Sequence, residues 1–146
     1  MLRLSNLADY GVVVMTAAAR SAAEGRLTSA AQVALLTGIP APTVAKLMGQ
    51  LGRAGLLSSQ RGVAGGFTLA RAPAEISLAD IVESIDGPIS LTHCGQPGAD
   101  CCGLSTSCQV KPHWAPVNRA VRDALSGVSL AVLAQESLPE TLKVPA

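Results

Sequence analysis

The sequence predicts a mainly helical fold with one small β-hairpin, and three observations carry that prediction. Apolar residues recur at helical spacing in several separate segments. Two short strand-like runs flank a glycine-rich stretch at residues 61–66. Only Tyr10, Phe67 and Trp114 are aromatic, so the core must be built from Leu, Val, Ile and Ala on closely packed helices, which disfavours an all-β fold. With 146 residues the chain suffices for one compact domain and a small appended element.

The first helix is expected to start behind Ser5 and Asn6, both good N-cap residues, and to run to Gly25, with Leu7, Tyr10, Val14, Ala17 and Ala18 on its packing side. Ser29 and Gln32 form a capping box for a short second helix, with Val33, Leu35 and Leu36 as its apolar side and Gly38 as its stop. Pro40 and Pro42 suit the first turn of a third helix, in which Val44, Leu47, Met48 and Leu51 line up at i, i+3, i+4 and i+7 before Gly55. Two helices joined by a short glycine-containing turn form a helix-turn-helix.

The other side of the third helix carries Thr43, Lys46, Gln50 and Arg53. These are donors suited to phosphates and base edges in a major groove. Residues 56–60 and 67–70 are the strand candidates, with Arg61 and Gly62 at the shoulder of the turn between them. Glycines allow a tight turn, and Arg61 is placed to meet a phosphate or a narrow minor groove. A helix-turn-helix followed by such a hairpin is a winged helix. No phosphate-cradling GxxxxGK[ST] or GxGxxG pattern competes with this reading.

Charge is divided along the chain. Residues 25–74 contain no acid but five bases, Arg26, Lys46, Arg53, Arg61 and Arg71. Residues 72–110 hold Glu75, Asp80, Glu83, Asp86 and Asp100 without one Lys or Arg. The basic part coincides with the winged helix, as a double-stranded DNA partner requires. The expected division is residues 1–74 for DNA binding and 75–146 for sensing and dimerisation.

In the second part, Ser77 caps a helix with Leu78, Ile81, Val82 and Ile85 on one side, ended by Asp86-Gly87-Pro88. All four cysteines follow in a loop at 94–108: Cys94, Cys101, Cys102 and Cys108. Clustered cysteine in a chain expected to be cytoplasmic points to metal or redox chemistry rather than structural disulfides. Structural zinc cysteines usually come in pairs two to four residues apart. Here the gaps are six, none and five residues, which suits an iron–sulfur cluster better. Zinc and a thiol–disulfide switch remain the alternatives. A helix over 114–126, with Trp114, Val117, Val121, Ala124 and Leu125 as its stripe, is expected to pair with its copy in a homodimer, matching a palindromic operator.

No run approaches the roughly 18 apolar residues of a membrane span. Residues 11–19 mimic a signal peptide only faintly, with Asp9 where that reading needs an apolar residue, so a cytoplasmic protein without membrane contact is expected. His93 and His113 are the only histidines and no nucleophile, base and acid fall into a catalytic motif, which argues against an enzyme.

Over nearly its full length the chain resembles the family of winged-helix iron–sulfur transcription factors that includes IscR and NsrR. The resemblance is carried by Leu2-Arg3-Leu4 with Asp9-Tyr10-Gly11, by residues 43–47, and by residues 56–71 with their Arg-Gly-x-x-Gly-Gly-Phe wing. It continues through residues 81–88, Cys94, Cys102-x5-Cys108, Trp114 and Asn118. Residues 114–130 are most similar to the branch that regulates SUF cluster-assembly operons. The resemblance implies a DNA-binding regulator, a repressor, that senses cluster, redox or nitric oxide status. It implies a 2Fe-2S or 4Fe-4S cluster on Cys94, Cys102 and Cys108, with Cys101 as an extra thiol. The interval from Cys94 to Cys102 is longer than in IscR or NsrR, and Lys111 stands where IscR has its histidine ligand. The fourth ligand is therefore open among Asp9, His113 and Cys101.

Overall fold

The computed structural model describes residues 3–135 apart from 97, 99–101 and 105. Cys101, a candidate ligand, and Leu2 lie outside the described residues. The helices are α1 (Asn6–Ala23), α2 (Ala30–Thr37), α3 (Ala41–Arg53), α4 (Leu78–Asp86), α5 (Lys111–Ser126) and α6 (Leu130–Leu133). The strands β1 (Leu57–Gln60) and β2 (Gly66–Leu69) form one antiparallel pair between α3 and α4. The predicted mainly helical winged fold is what the chain adopts.

Helix α1 is the central element, packed against α2, α3, α4 and β2. Ser5 caps it by accepting from Ala8 N, and Asp9 and Arg20 complement the helix dipole at its two ends. Its buried side is the expected one at Val14 and Ala18 but not at Leu7 and Tyr10. Ala8, Gly11, Val14, Met15, Ala18 and Ala19 face inward, whereas Leu7 and Tyr10 remain 38% and 37% exposed. The small residues are inside because α4 lies so close: a Cβ on Gly11 would come within 3.1 Å of Ile85 Cγ1.

Helix α2 has both halves of its predicted capping box, Ser29 accepting from Gln32 N and Gln32 accepting from Ser29 N. Gly38 ends it in the left-handed region at φ 76°. Only Val33 is buried; the expected apolar partners Leu35 and Leu36 are 86% and 71% exposed. Eight residues make about two turns, and the short helix offers α1 and α3 only one side. Helix α3 accommodates Pro42 in its first turn, where no N–H is needed, and buries Val44, Leu47, Met48 and Leu51 as predicted.

The hairpin register pairs Leu57 with Leu69 and Gln60 with Gly66. Sequence reasoning missed a third partner: Thr28 N donates to Phe67 O at 2.9 Å and Phe67 N to Thr28 O at 2.8 Å. This bridge fastens the hairpin to the segment between α1 and α2. In the turn, Gly62 takes φ 118°, and Gly65 N donates to Gly62 O at 3.0 Å. A Cβ on Gly65 would collide with Gln60 O and stand 2.8 Å from Gly62 O, both rigid backbone atoms. Gly65→Ala is therefore expected to open the turn at a cost of about 1–3 kcal/mol. Faster amide exchange at 57–60 and 66–69 under an unchanged helical circular dichroism spectrum would show it, and unchanged exchange would refute it.

Beyond the hairpin, Ser77 and Asp80 cap α4 reciprocally and Gly87 ends it. Leu78 N donates to Val128 O at 2.8 Å and Leu130 N to Ile76 O at 2.7 Å, so the segments flanking α4 and α5 are bridged. One hydrophobic cluster contains Met15, Leu47, Met48 and Leu51 together with Ile76, Ile81 and Leu130, so the core runs across residue 74. Helix α5 starts at Lys111, earlier than the predicted 114, because Pro112 is tolerated in a first turn. Its apolar stripe of Trp114, Val117, Val121, Ala124 and Leu125 is nowhere fully buried within the chain. Among the described residues no helix is long and apolar enough to cross a membrane.

Candidate DNA-reading surface and cysteine loop

The burial of Val44, Leu47, Met48 and Leu51 dictates what the opposite side of α3 presents. Lys46 and Arg53 are exposed there, while Thr43 and Gln50 are half-buried. The Gln50 carboxamide oxygen is buried without a hydrogen-bond partner. Gly49 leaves space beside the Arg53 side chain: a Cβ there would lie 3.5 Å from one guanidinium nitrogen. Arg53 also lines a groove between α3 and the hairpin, together with Gly49, Gly52, Ser58, Ser59 and Phe67. Ser58 and Ser59 are exposed hydroxyl donors on β1 that sequence reasoning did not single out. Their polar run directly after buried Leu57 was the available signal.

Arg61 and Gly62 are exposed at the start of the hairpin turn. Among the described residues Lys46, Arg53 and Arg61 make no salt bridge; the arginines that do are Arg26, Arg71 and Arg122. Three unpaired cations on one helix and one wing leave a positive surface open to an anionic partner.

The cysteine loop begins with a 3₁₀ turn at His93–Gly95. Cys94, Cys102 and Cys108 are free thiols, each half-buried. Among the described residues no three His, Cys, Asp or Glu side chains converge on a common point. Asp9 is exposed on the first turn of α1 and His113 on the first turn of α5, and within the described residues of the single chain neither gathers with the thiols.

The run leading into Cys94 is fixed more firmly. Asn118, the one buried residue of α5, accepts from Leu91 N at 2.9 Å and donates through Nδ2 to Ser90 Oγ at 3.3 Å. Ser90 Oγ in turn donates to Thr92 O at 2.7 Å, and Thr92 Oγ1 lies 3.4 Å from Cys94 Sγ. One turn along α5, Arg122 grips Glu83 of α4 through two nitrogens at 3.0–3.2 Å, and Ile89 N donates to the same carboxylate at 3.4 Å. The hydrogen bond and negative charge of Glu83 raise the Arg122 pKa above its ordinary value. Sequence reasoning read Asn118 only through the family resemblance. A lone carboxamide in an amphipathic helix was its signal.

Comparison with known proteins places this geometry. CymR of B. subtilis, described as its global cysteine regulator, superimposes with a TM-score of 0.72 at 27% identity, covering 94% of this chain and 99% of that one. IscR of T. potens gives 0.68 at 26% identity, with 99% and 94% covered. CymR of S. aureus gives 0.64 at 28% identity, with 92% and 100% covered. The profile of the Rrf2 family, described as iron-dependent transcriptional regulators, matches residues 4–136. The chain therefore belongs to the Rrf2 family of transcription regulators.

Proposed function

We propose that the chain is a homodimeric repressor that reads a palindromic operator with α3 and the wing and carries an iron–sulfur cluster as its sensor. Cys94, Cys102 and Cys108 hold the cluster, and the fourth ligand comes from Asp9, His113 or Cys101. The observation that carries the reading is the presence of three free, half-buried thiols within 15 residues, on a loop tied to α5. Thiolates are the soft donors that such clusters take. The donor set fits in kind, although the described side chains do not converge in the single chain. When bound, the cluster supplies a redox-active centre whose oxidation, nitrosylation or loss is the signal. The similarity of residues 114–130 to the SUF-operon regulators makes iron–sulfur assembly genes the expected targets.

On the DNA side, Lys46, Arg53 and Arg61 neutralise phosphates, Thr43 reaches toward base edges, Gln50 joins it once its carboxamide turns outward, and Gly62 lets the wing approach the backbone. The exposed stripe of α5 provides the dimer contact. Loop ordering acts on α5, and the bridge from Val128 to Leu78 passes the change to α4, which packs on α1 and α3. A coupling of about 1–3 kcal/mol suffices to change operator affinity several-fold or more.

The test is iron and sulfide analysis of air-free protein, with gel shifts on its own promoter before and after cluster removal. A colourless preparation that binds the promoter but holds neither iron nor sulfide would sink the cluster reading. A second reading, a thiol–disulfide switch, is favoured by the free state of all three described thiols and gives a disulfide on oxidation, visible by mass spectrometry. Arg61→Ala is expected to weaken operator binding and to reduce its salt slope by about 0.9. An unchanged slope would remove Arg61 from the phosphate contacts.

A further inference from the structure

We propose that Asn118 and Thr92 are positioning residues for Cys94, presetting this one thiolate against α5 through hydrogen bonds that meet at Thr92. The inference rests on the reading of Cys94 as a cluster ligand, and it adds an outer shell that the cysteines themselves do not reveal.

Asn118 is only 8% exposed, and a buried carboxamide is retained in a helix at a cost unless both its ends are satisfied. Both are: the oxygen takes the Leu91 amide and the nitrogen donates to Ser90 Oγ. A serine hydroxyl has one hydrogen, and that of Ser90 goes to Thr92 O, which leaves its oxygen free to accept from Asn118. Between Thr92 and Cys94 either atom can donate while the cysteine is a thiol. As a metal-bound thiolate Cys94 has no proton, so Thr92 must be the donor. The Asn118–Ser90 relay ends on the Thr92 carbonyl and so fixes the backbone of Thr92, whose hydroxyl then makes a separate hydrogen bond to the ligand sulfur, where such bonds stabilise the bound state and tune its potential.

Two further features belong to the same device. Gly95 cannot be replaced without breaking it, because a Cβ would stand 2.6 Å from Asn118 Nδ2 and 2.9 Å from Ser90 Oγ. Arg122, through Glu83, anchors Ile89 at the start of the same run. Among the described residues Cys102 and Cys108 make no such side-chain hydrogen bond, so the loop has one preset ligand and two that must be gathered.

The experiment compares wild type with Asn118→Leu, Thr92→Val and Thr92→Ser. In air-free apo-protein the alkylation rate of each cysteine by iodoacetamide is followed by mass spectrometry. In protein reconstituted with ferrous iron and sulfide, retention of iron against a chelator and the visible spectrum are measured. Asn118→Leu and Thr92→Val are expected to speed alkylation of Cys94 about fivefold relative to Cys102 and Cys108. They are also expected to lower iron retention about 10-fold or more, with Thr92→Ser restoring both. An unchanged Cys94 rate in both variants, or an equal rise at all three cysteines, overturns the proposal. Thr92→Val is half-buried and nearly isosteric, so it remains decisive if Asn118→Leu fails to fold. Wild type that takes up no iron and sulfide refutes the cluster reading, while the alkylation ranking still judges the preset thiol.

Discussion

Replacing Cys94, Cys102 and Cys108 together by alanine is expected to yield a colourless protein without iron or sulfide, whose promoter affinity no longer responds to oxygen, nitric oxide or chelator. The reason is chemical: no other described side chains offer soft thiolate donors, and His93, His113 and Asp9 do not gather around a common point. Removing the three thiols deletes the ligand set and spares the core, since none of the three is among its buried residues. The melting temperature of the variant should therefore match that of the wild-type apo-protein, and its residual DNA binding should match the apo state. Gel shifts under air-free and oxidised conditions measure this. A variant that still switches between conditions would place the sensor outside the cysteine loop; one that never switches but keeps bound iron would place the ligands elsewhere. Cys101→Ala on its own then separates a role for the fourth thiol, because alkylation or oxidation at that position would vanish while the other three cysteines keep theirs.

The helix-turn-helix and hairpin were legible because each boundary is set by local chemistry. Ser29 and Gln32 satisfy one another's backbone, Pro42 fits only a first turn, and Gly38, Gly55 and Gly62 occupy left-handed conformations that other residues avoid. Long-range features were not written locally. Thr28 joins Phe67 across the fold, and nothing in residues 26–29 announces that pairing. The inward side of α1 was read correctly at Val14 and Ala18 but misread at Leu7 and Tyr10, where weight was given to large residues although the close approach of α4 to Gly11 demands small ones. Leu35 and Leu36 misled for the related reason that hydrophobicity does not say whether a neighbouring element exists to cover it. At the site, residue types were readable and their mutual placement was not. Lys46 and Arg53 stand out as expected, yet the Gln50 carboxamide oxygen is buried. The cysteines were obvious, whereas the Asn118, Ser90 and Thr92 chain that leads to Cys94 depends on α5 returning beside residues 89–94.

The two sides of α3 tie stability to recognition, and Leu47→Ala measures the tie. Leu47 is wholly buried in the cluster that joins α1 and α3 to Ile76 and Leu130, one residue from exposed Lys46. Truncation removes buried methyl groups and leaves a cavity, costing about 2–5 kcal/mol. Against a total stability of about 5–15 kcal/mol that is a large fraction, equivalent to a melting point about 6–15 °C lower. Well below the transition the donors of α3 keep their places, so operator affinity at low temperature should stay near wild type and collapse early on warming. Lys46→Ala should do the reverse: stability within about 0.5 kcal/mol of wild type, but affinity reduced at every temperature. Calorimetry and temperature-resolved DNA binding on both variants check the pair. Should Leu47→Ala cost less than about 1 kcal/mol, the flexible side chains of Met15 and Met48 have moved into the space, and the core is more adaptable than its complete burial implies.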